Sequence, residues 1–475
     1  MEDCEYQQVN TGDQIYREKV PWKYFCRQIL MTSAMWALYF NAGICVGAPT
    51  VLVPQLRNEN NATVISDEMV TWLYSSFGFT AIPWVIIVPI FSTYAGRKLP
   101  YILSSVSTLA TFLIFYFSTS LMHILISQLI QGFAHACNIT ITVLIVSEYV
   151  DSRYRGIFLT IKSASFFWGI WVANAIGAFC HWRYIALTGI LSAVYSFIGI
   201  LHPESPYWLA SKGKYEKCRY AYRWLHGSSD STEKELQSII DSKMEDRKRI
   251  KNRSWSSVKL AIVNKQFYLP LALCLLMNFQ YNFSGKLVCS AYVLDIVKKV
   301  TIDQTAAYIG MLILDGVTLI GMYIGSFVSK ILKRRTLYFT SSFIGITFLF
   351  IFSLYLYLVR LQVLDESNTI SILLLMVYSV SISCGPMILS MTITGEIIPM
   401  RFQAVCYSIN STIFAIVLTA MVKYAPAFFS GLGMDGSFLF YGVTSSVCTI
   451  VLYFYLPETK DKPLLEIEEY FKDSK

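Results

Sequence analysis

The sequence predicts an all-α integral membrane protein with twelve transmembrane helices arranged as two six-helix bundles. The chain of 475 residues is 55% hydrophobic and only 15% charged, and its mean hydropathy is +0.48. Apolar stretches of membrane-spanning length recur along it, and the charges between them repeat about half a chain apart. Because a soluble protein carries about a quarter of charged residues, we expect lipid to solvate most of the surface.

Each apolar stretch is long enough to cross a bilayer core of about 30 Å, which takes roughly 20 helical residues. Runs such as 82–90 are apolar at nearly every position and do not alternate, which favours helices over a barrel. The first six predicted spans are 28–50, 69–91, 100–119, 122–147, 157–180 and 184–202. The other six are 267–297, 304–328, 337–359, 369–394, 403–425 and 437–457.

A long polar connector divides the chain into two halves of equal span number. Within it, Pro203-Glu204-Ser205-Pro206 ends the sixth span, since proline cannot continue a helix. Stretches 213–226 and 231–250 have alternating charge, which predicts short amphipathic helices. The predicted organisation is a tail over 1–27, a bundle over 28–202, the connector over 203–266, a second bundle over 267–457 and a tail over 458–475.

Lysine and arginine concentrate on the side of the membrane that carries the connector and both termini. The positive-inside rule therefore places that side in the cytoplasm, and we expect a multi-pass protein of the plasma membrane. The net charge of +8 reflects this topology. Nucleic acid is excluded as a partner, because the basic residues flank spans.

The loop charges occur as a repeated pattern. Gly96-Arg97-Lys98 in the first half corresponds to Lys333-Arg334-Arg335 in the second. An acid and an arginine follow in each half, which is typical of a duplicated transporter whose mouth charges pair and separate as two bundles rock. Acids at these span ends are not explained by the positive-inside rule, so we predict a gating set of Gly96, Arg97, Glu148, Arg155, Arg334, Glu396 and Arg401.

Several short motifs stand at the ends of predicted spans. They are Gly96-Arg97-Lys98, Ser147-Glu148-Tyr149, Arg155-Gly156, Trp182-Arg183, Pro203-Glu204-Ser205-Pro206-Tyr207-Trp208-Leu209 and Pro457-Glu458-Thr459-Lys460. From about residue 30 to 470, the chain resembles the sugar-porter family of the major facilitator superfamily. Ser211-Lys212-Gly213-Lys214-Tyr215 and Trp224-Leu225-His226-Gly227 look most like the insect facilitated trehalose transporters.

The resemblance implies a solute site with contacts from the fifth, seventh, tenth and eleventh spans, and the seventh keeps Phe283-Ser284-Gly285. It also implies departures: the loop acid is Thr93, an arginine of the fourth span is Gln128, and Leu287 stands for an asparagine. Amides and aromatic faces suit a hydroxylated ligand. The solute-binding positions that the resemblance implies are Tyr281, Asn282, Ser163, Tyr292, Met391 and Phe414.

Two charged residues are predicted close to the bilayer midplane. Lys286 and Asp315 each lie about 11 residues, or roughly 16 Å, inside the outer ends of spans seven and eight. Intramembrane ionisable groups indicate a functional site by default. Either the two form a static pair, or they take part in binding a charged solute or in coupling. Lys162 is expected to extend to the cytoplasm, and His135 to be a buried, hydrogen-bonded residue.

The function predicted is transport of a small polar solute by alternating access, facilitative and with a sugar (trehalose or a hexose) as the leading class. The alternatives are an organic-ion carrier of the same fold and a non-transporting sensor. No nucleophile, metal or phosphate constellation is visible, so we expect neither an enzyme nor a cofactor or metal. The expected partners are the solute and the lipid bilayer, with a monomer as the functional unit. Asn61 begins a sequon in a short outward loop.

Overall fold

The computed structural model describes residues 22–59, 65–251, 265–299, 304–398, 403–460 and 470–471. These residues form helices joined by short turns, and eleven of the helices are long and apolar enough to cross a membrane. The remaining crossing, the seventh, is a helix broken into consecutive pieces. The predicted all-α fold with twelve spans is therefore confirmed.

The first half contains six consecutive spans. The first helix is longer than its apolar stretch, because Trp22 and its neighbours continue the helix beyond the hydrocarbon core. Spans 1 to 6 are Trp22–Glu59, Asp67–Ala95, Lys98–Tyr116, Leu121–Tyr149, Ser152–Phe179 and Arg183–Ser196, the last continued by a 3₁₀ turn at Phe197–Leu201.

The second half repeats this arrangement with two interrupted spans. Span 7 consists of Lys265–Phe283, Lys286–Ala291 and Val293–Lys299, and span 10 consists of Asn368–Cys384 and Pro386–Ile397. The others are span 8 at Gln304–Ile331, span 9 at Arg334–Arg360, span 11 at Gln403–Gly431 and span 12 at Gly433–Tyr455.

The connector forms the short helices Pro206–Ser211, Tyr215–His226 and Asp230–Lys251, which we call the central helices. They share a small apolar core that includes Leu209, Tyr222 and Leu236, one residue from each helix. Arg27 Nη1 at the start of span 1 donates to the carbonyl of Trp224 at 2.9 Å. We call this end of the molecule the connector face and the other end the opposite face.

Glycines let spans 1 and 5 approach each other closely. A Cβ atom on Gly43 would lie 1.9 Å from the carbonyl oxygen of Phe166, and one on Gly169 would lie 2.0 Å from that of Phe40. Helices in a membrane lack a hydrophobic force between them, so such small-residue contacts supply much of their packing energy. The close contact makes spans 1 and 5 one rigid pair.

The two halves contact each other through spans 2 and 11 and through spans 5 and 8. These pairs are related by the duplication, since span 8 repeats span 2 and span 11 repeats span 5. Gly78 of span 2 lies against Thr419 of span 11, so that an added Cβ would be 2.3 Å from the threonine hydroxyl. Two symmetry-related interfaces therefore surround the path between the halves.

Replacing Gly169 by alanine should destabilise the fold by about 1 to 3 kcal/mol, because the new methyl group meets backbone and not a mobile side chain. The apparent melting temperature in detergent measures this loss. Gly156→Ala is the matched control, since Gly156 lies on the same helix with nothing near its added Cβ. Equal melting temperatures for both variants would contradict the close packing of spans 1 and 5.

Candidate functional site

The seventh span is interrupted at Ser284 and Gly285. Gly285 has a φ of +75°, and an added Cβ would lie 2.5 Å from the ring of Tyr441, so only glycine fits here. The hydroxyl of Tyr378 donates to the Ser284 carbonyl at 2.7 Å. A broken helix inside a membrane is tolerated where side chains satisfy the freed backbone groups. The break therefore places irregular backbone within the second half.

Three of the predicted solute-binding residues lie together: Tyr281 and Asn282 come just before the break, and Phe414 of span 11 lies beside Tyr281. The rings of Tyr281 and Phe414 are parallel, with centroids 6.5 Å apart. The Asn282 Nδ2 donates to the carbonyl of Asn278 at 2.9 Å, while its Oδ1 is buried without a partner among the described residues. An amide acceptor next to stacked rings suits a ligand with hydroxyl groups on an apolar ring.

The other predicted positions lie elsewhere. Tyr292 donates its hydroxyl to the carbonyl of Val422 at 3.0 Å, and its ring centroid is 4.3 Å from that of Tyr74. It therefore joins spans 7, 11 and 2 near the opposite face. Ser163 is half-buried on span 5, and Met391 on span 10 is 48% exposed.

Sequence reasoning missed an amide pair beside this site. Asn278 Nδ2 donates to Asn410 Oδ1 at 2.7 Å, which links spans 7 and 11. Asn278 precedes Asn282 by one helical turn. This i, i+4 spacing places both amides on one helix face and was the signal in the sequence from which the pair could have been found.

A second polar group missed by sequence reasoning lies in span 4. Gln128, Gln131, His135 and Asn138 follow each other at intervals of three or four residues, which places them on one helix face. Asn138 Nδ2 donates to the carbonyl of Leu38 in span 1 at 3.1 Å. The amides of Gln131 and of Asn41, in span 1, are fully buried, and no described residue is their hydrogen-bond partner. Such amides suit water or a hydroxylated solute.

Lys162 does not extend to the connector face, contrary to the sequence expectation. Its side chain is buried, and Nζ lies 4.0 Å from the centroid of the Tyr39 ring. His135, expected to be a buried hydrogen-bonded residue, is buried edge-on against Phe77, and no described residue bonds its Nδ1.

Lys286 and Asp315 are both buried, as the sequence predicts, but no ion pair within the described ranges joins them. Lys286 Nζ donates to the hydroxyls of Thr318 at 2.6 Å and Ser379 at 2.5 Å. Asp315 Oδ2 accepts from Asn174 Nδ2 of the other half at 2.6 Å. Hydroxyl and amide partners therefore take the place that a static pair would fill.

The halves are joined at the opposite face. The hydroxyl of Thr50 in span 1 donates to the carbonyl of Ala291 in span 7 at 2.7 Å. Lys423 Nζ of span 11 donates to the Thr71 hydroxyl of span 2 at 2.7 Å and lies 3.8 Å from the Trp72 ring centroid. These contacts join the two halves at this end.

At the connector face of the first half, the predicted gating residues Arg97 and Glu148 form an ion pair of 3.1 Å. Glu148 Oε2 also accepts from the Ser205 hydroxyl at 2.6 Å. Glu204 accepts from the main-chain nitrogens of Arg97 and Lys98 at 2.8 and 3.2 Å. Gly96 has a φ of +94°, and any side chain there would collide with Glu204.

The second half repeats the ion pair and the capping glutamate of this network. Arg334 forms an ion pair with Glu396. Glu458 accepts from the main-chain nitrogens of Arg334 and Arg335 at 3.1 and 3.2 Å. Each half therefore carries one arginine–glutamate pair and one glutamate that caps the adjacent turn.

The structure does not join all of the predicted gating set. Arg155 is half-buried, and its Nε has no hydrogen-bond partner within the described ranges. Arg401 and the sequon residue Asn61 lie outside the described residues. The described pairs are thus formed within each half and not between the halves.

His202 lies inside the first of these networks. Burial and the nearby ammonium group of Lys98 lower the pKa of His202 to about 4. Its Nε2 has no partner among the described residues, and Lys98 Nζ donates to its carbonyl at 2.9 Å. The folded protein therefore holds His202 neutral at neutral pH.

Acidification should weaken the fold through His202. The unfolded chain binds a proton below about pH 6.5 and the folded chain only below about pH 4, so stability is lost as the pH falls between these values and is unaffected above pH 6.5. At pH 5 the loss is about 2 kcal/mol. When the pH is lowered from 7.5 to 5, we expect the melting temperature of His202→Gln to fall less than that of wild type. His123→Gln, at an exposed position, is the control and should show the same fall as wild type. The prediction fails if the melting temperature of His202→Gln also falls as much as that of wild type.

Lys423→Met should favour opening at the opposite face, because it removes a hydrogen bond and a cation–π contact between the halves, together about 1 to 2 kcal/mol. A cysteine in place of the buried Val53, one turn beyond Thr50, would report opening through its alkylation rate, read by peptide mass spectrometry. We expect a rise of about tenfold. Lys298→Met is the control, since Lys298 contacts Tyr308 of its own half. An unchanged rate in Lys423→Met would contradict a closing role.

The sequence is similar to those of known transporters. Residues 25–471 match the family model described as "Sugar (and other) transporter". The chain is 25% identical over 420 residues to the facilitated trehalose transporter Tret1 of Apis mellifera ligustica, covering 88% of this chain and 82% of the relative. It is 24% identical over 464 residues to Tret1 of Polypedilum vanderplanki, covering 96% and 90%.

The fold is also similar to solved structures. The proton:xylose symporter XylE bound to 6-bromo-6-deoxy-D-glucose superposes with a TM-score of 0.75 at 16% identity, over 95% of this chain and 100% of that chain. The inward open conformation of XylE from E. coli gives a TM-score of 0.69 at 15% identity, over 94% and 99%. At these identities the likeness establishes the major facilitator fold alone.

Proposed function

Because the chain belongs to the sugar (and other) transporter family, we propose that it moves a small sugar, trehalose or a hexose, across the membrane by facilitated alternating access. The observation that carries the proposal is the family match over residues 25–471, on two bundles that are closed against each other at one face. The insect relatives that share a quarter of its residues are trehalose transporters by name, which supports the substrate class.

The proposed solute site lies in the second half, just on the connector side of the helix break. The Asn282 amide offers an unused buried acceptor, and Tyr281 stacked on Phe414 offers an apolar face. A pyranose ring has hydroxyls at its edge and C–H groups on its faces, so it needs both kinds of contact. Ser163 and Met391 would complete the site from spans 5 and 10. We assign Tyr292 to the closed end, because its hydroxyl and ring are already used there.

Transport would proceed by rocking of one bundle against the other. The opposite-face contacts of Thr50 and Lys423 would break as that end opens. The Arg97–Glu148 and Arg334–Glu396 pairs would hold the turns of each half rigid, and their rearrangement would accompany closure of the connector face. The gate residues thus set the balance between two states.

The orientation proposed follows from charge. The central helices and their flanking loops carry most of the lysine and arginine residues, so the connector face would be cytoplasmic, with both termini on that side. We place the protein in the plasma membrane and take the monomer as the functional unit, because each chain contains both bundles around its own path.

Purified protein in liposomes should take up radiolabelled trehalose or glucose down a gradient and exchange it with unlabelled sugar inside. Asn282→Ala should raise the KM about tenfold, because one amide contact to a hydroxyl is worth about 1 to 1.5 kcal/mol. Thr188→Ala is the matched control, since that hydroxyl donates within its own helix to Tyr184.

The alternatives give different results. Uptake of tetraethylammonium or p-aminohippurate without sugar uptake would assign the chain to organic ions. If no solute enters, but sugar still changes the alkylation rate of Val53→Cys, the result would favour a sensor. Either outcome would overturn the proposal of sugar transport.

A further inference from the structure

A small cavity in the second half is lined by two opposite charges that do not touch. It lies between spans 7, 8 and 10, and its lining includes Lys286, Cys289, Asp315, Tyr378 and Ser379. The side chains of Lys286 and Asp315 are 3% and 5% exposed. Isolated charges are costly inside a membrane, so two opposite charges facing one cavity indicate a functional arrangement.

Each charged group that lines the cavity has a hydrogen-bonding position that no described residue is found to use. The Lys286 ammonium has three donors, and the hydroxyls of Thr318 and Ser379 take two of them. Asp315 binds Asn174 through Oδ2, which leaves Oδ1 free of any side-chain bond found among the described residues. The lysine side chain is long and flexible, and it lines the same cavity as the carboxylate.

The partner of Asp315 belongs to the other half of the molecule. Asn174 is fully buried on span 5. One turn away, Trp171 Nε1 donates to the carbonyl of Leu312 in span 8 at 3.2 Å. Both bonds cross the interface between spans 5 and 8. The carboxylate therefore takes part in holding the halves together when the opposite face is closed.

Opening of that face would remove Asn174 from Asp315. A buried carboxylate that loses its hydrogen bond carries a full desolvation penalty, which would oppose the opening step. Lys286 is the cation that lines the same cavity. An ion pair formed at that moment would compensate the lost bond.

We propose that Asp315 is a gating residue that exchanges partners: it accepts from Asn174 across the halves when the opposite face is closed, and it pairs with Lys286 when that face opens. The inference rests on the proposed alternating access, but it concerns the balance of the two states and not the solute. Lys286 is then the positioning residue that makes the open state accessible, and the cavity is the space in which the exchange takes place.

The test measures the alkylation rate of Val53→Cys in detergent without any solute. Asn174→Ala removes only the partner of the closed state, so the rate should rise about tenfold. Asp315→Asn keeps an acceptor for Asn174 but cannot pair with Lys286, so the rate should fall by a similar factor. Lys286→Gln should also lower it. Asn410→Ala is the matched control, because it deletes a part-buried amide bond within one half.

A static arrangement gives another pattern. Asp315→Asn and Lys286→Gln would then lower the melting temperature without a directed change in alkylation, and the double variant would restore wild-type behaviour. Under the exchange, the double variant recovers melting temperature but not the opening rate. Rates that move in the same direction for Asn174→Ala and Asp315→Asn would overturn the proposal.

Sugar uptake by wild type separates this result from the proposed function. Opposite shifts in alkylation together with no sugar flux would leave the gate standing and refute the substrate. Sugar flux with unchanged alkylation in every variant would support the transporter and refute the partner exchange.

Discussion

Every backbone polar group inside the hydrocarbon core must find its partner within the protein, and most features of this molecule follow from that requirement. The spans are helices because a helix satisfies its own backbone. Where span 7 is interrupted, the Tyr378 hydroxyl binds the Ser284 carbonyl that the break sets free. The two deeply buried charges, Lys286 and Asp315, are likewise held by hydroxyl and amide groups.

The same requirement acts at the connector face, where the chain turns sharply between spans. Glu204 and Glu458 each come from the end of a half, and each accepts main-chain N–H groups at the start of span 3 or span 9. A carboxylate at a helix N-terminus is favoured by the helix dipole as well as by the hydrogen bonds. Neighbouring ion pairs then fix the arginines of the same turns. Both copies of the duplicated half therefore keep an arginine–glutamate ion pair and a glutamate that caps the next helix.

Much of this could be predicted from the sequence, because span length and charge placement are set by the bilayer and not by tertiary detail. The spans, the repeated turns and the burial of Lys286 and Asp315 follow from such simple rules. The partners of those charges could not be predicted, since Asn174 lies 141 positions from Asp315 and only packing of the halves brings them together. Lys162 was placed wrongly because a favourable ring, Tyr39, lies beside it in space and not in sequence. The gating and binding roles of individual residues stay predictions.

The central helices are attached to one of the two bundles through hydrogen bonds. Arg27 and Gln28 hold the carbonyls of Trp224 and Leu225, so the helix Tyr215–His226 belongs mechanically to the first bundle. A protein that binds this helix at the connector face would immobilise the first bundle as a whole and leave the second bundle free to move. Binding to a helix outside the bilayer would therefore regulate transport without competing with the solute for its site.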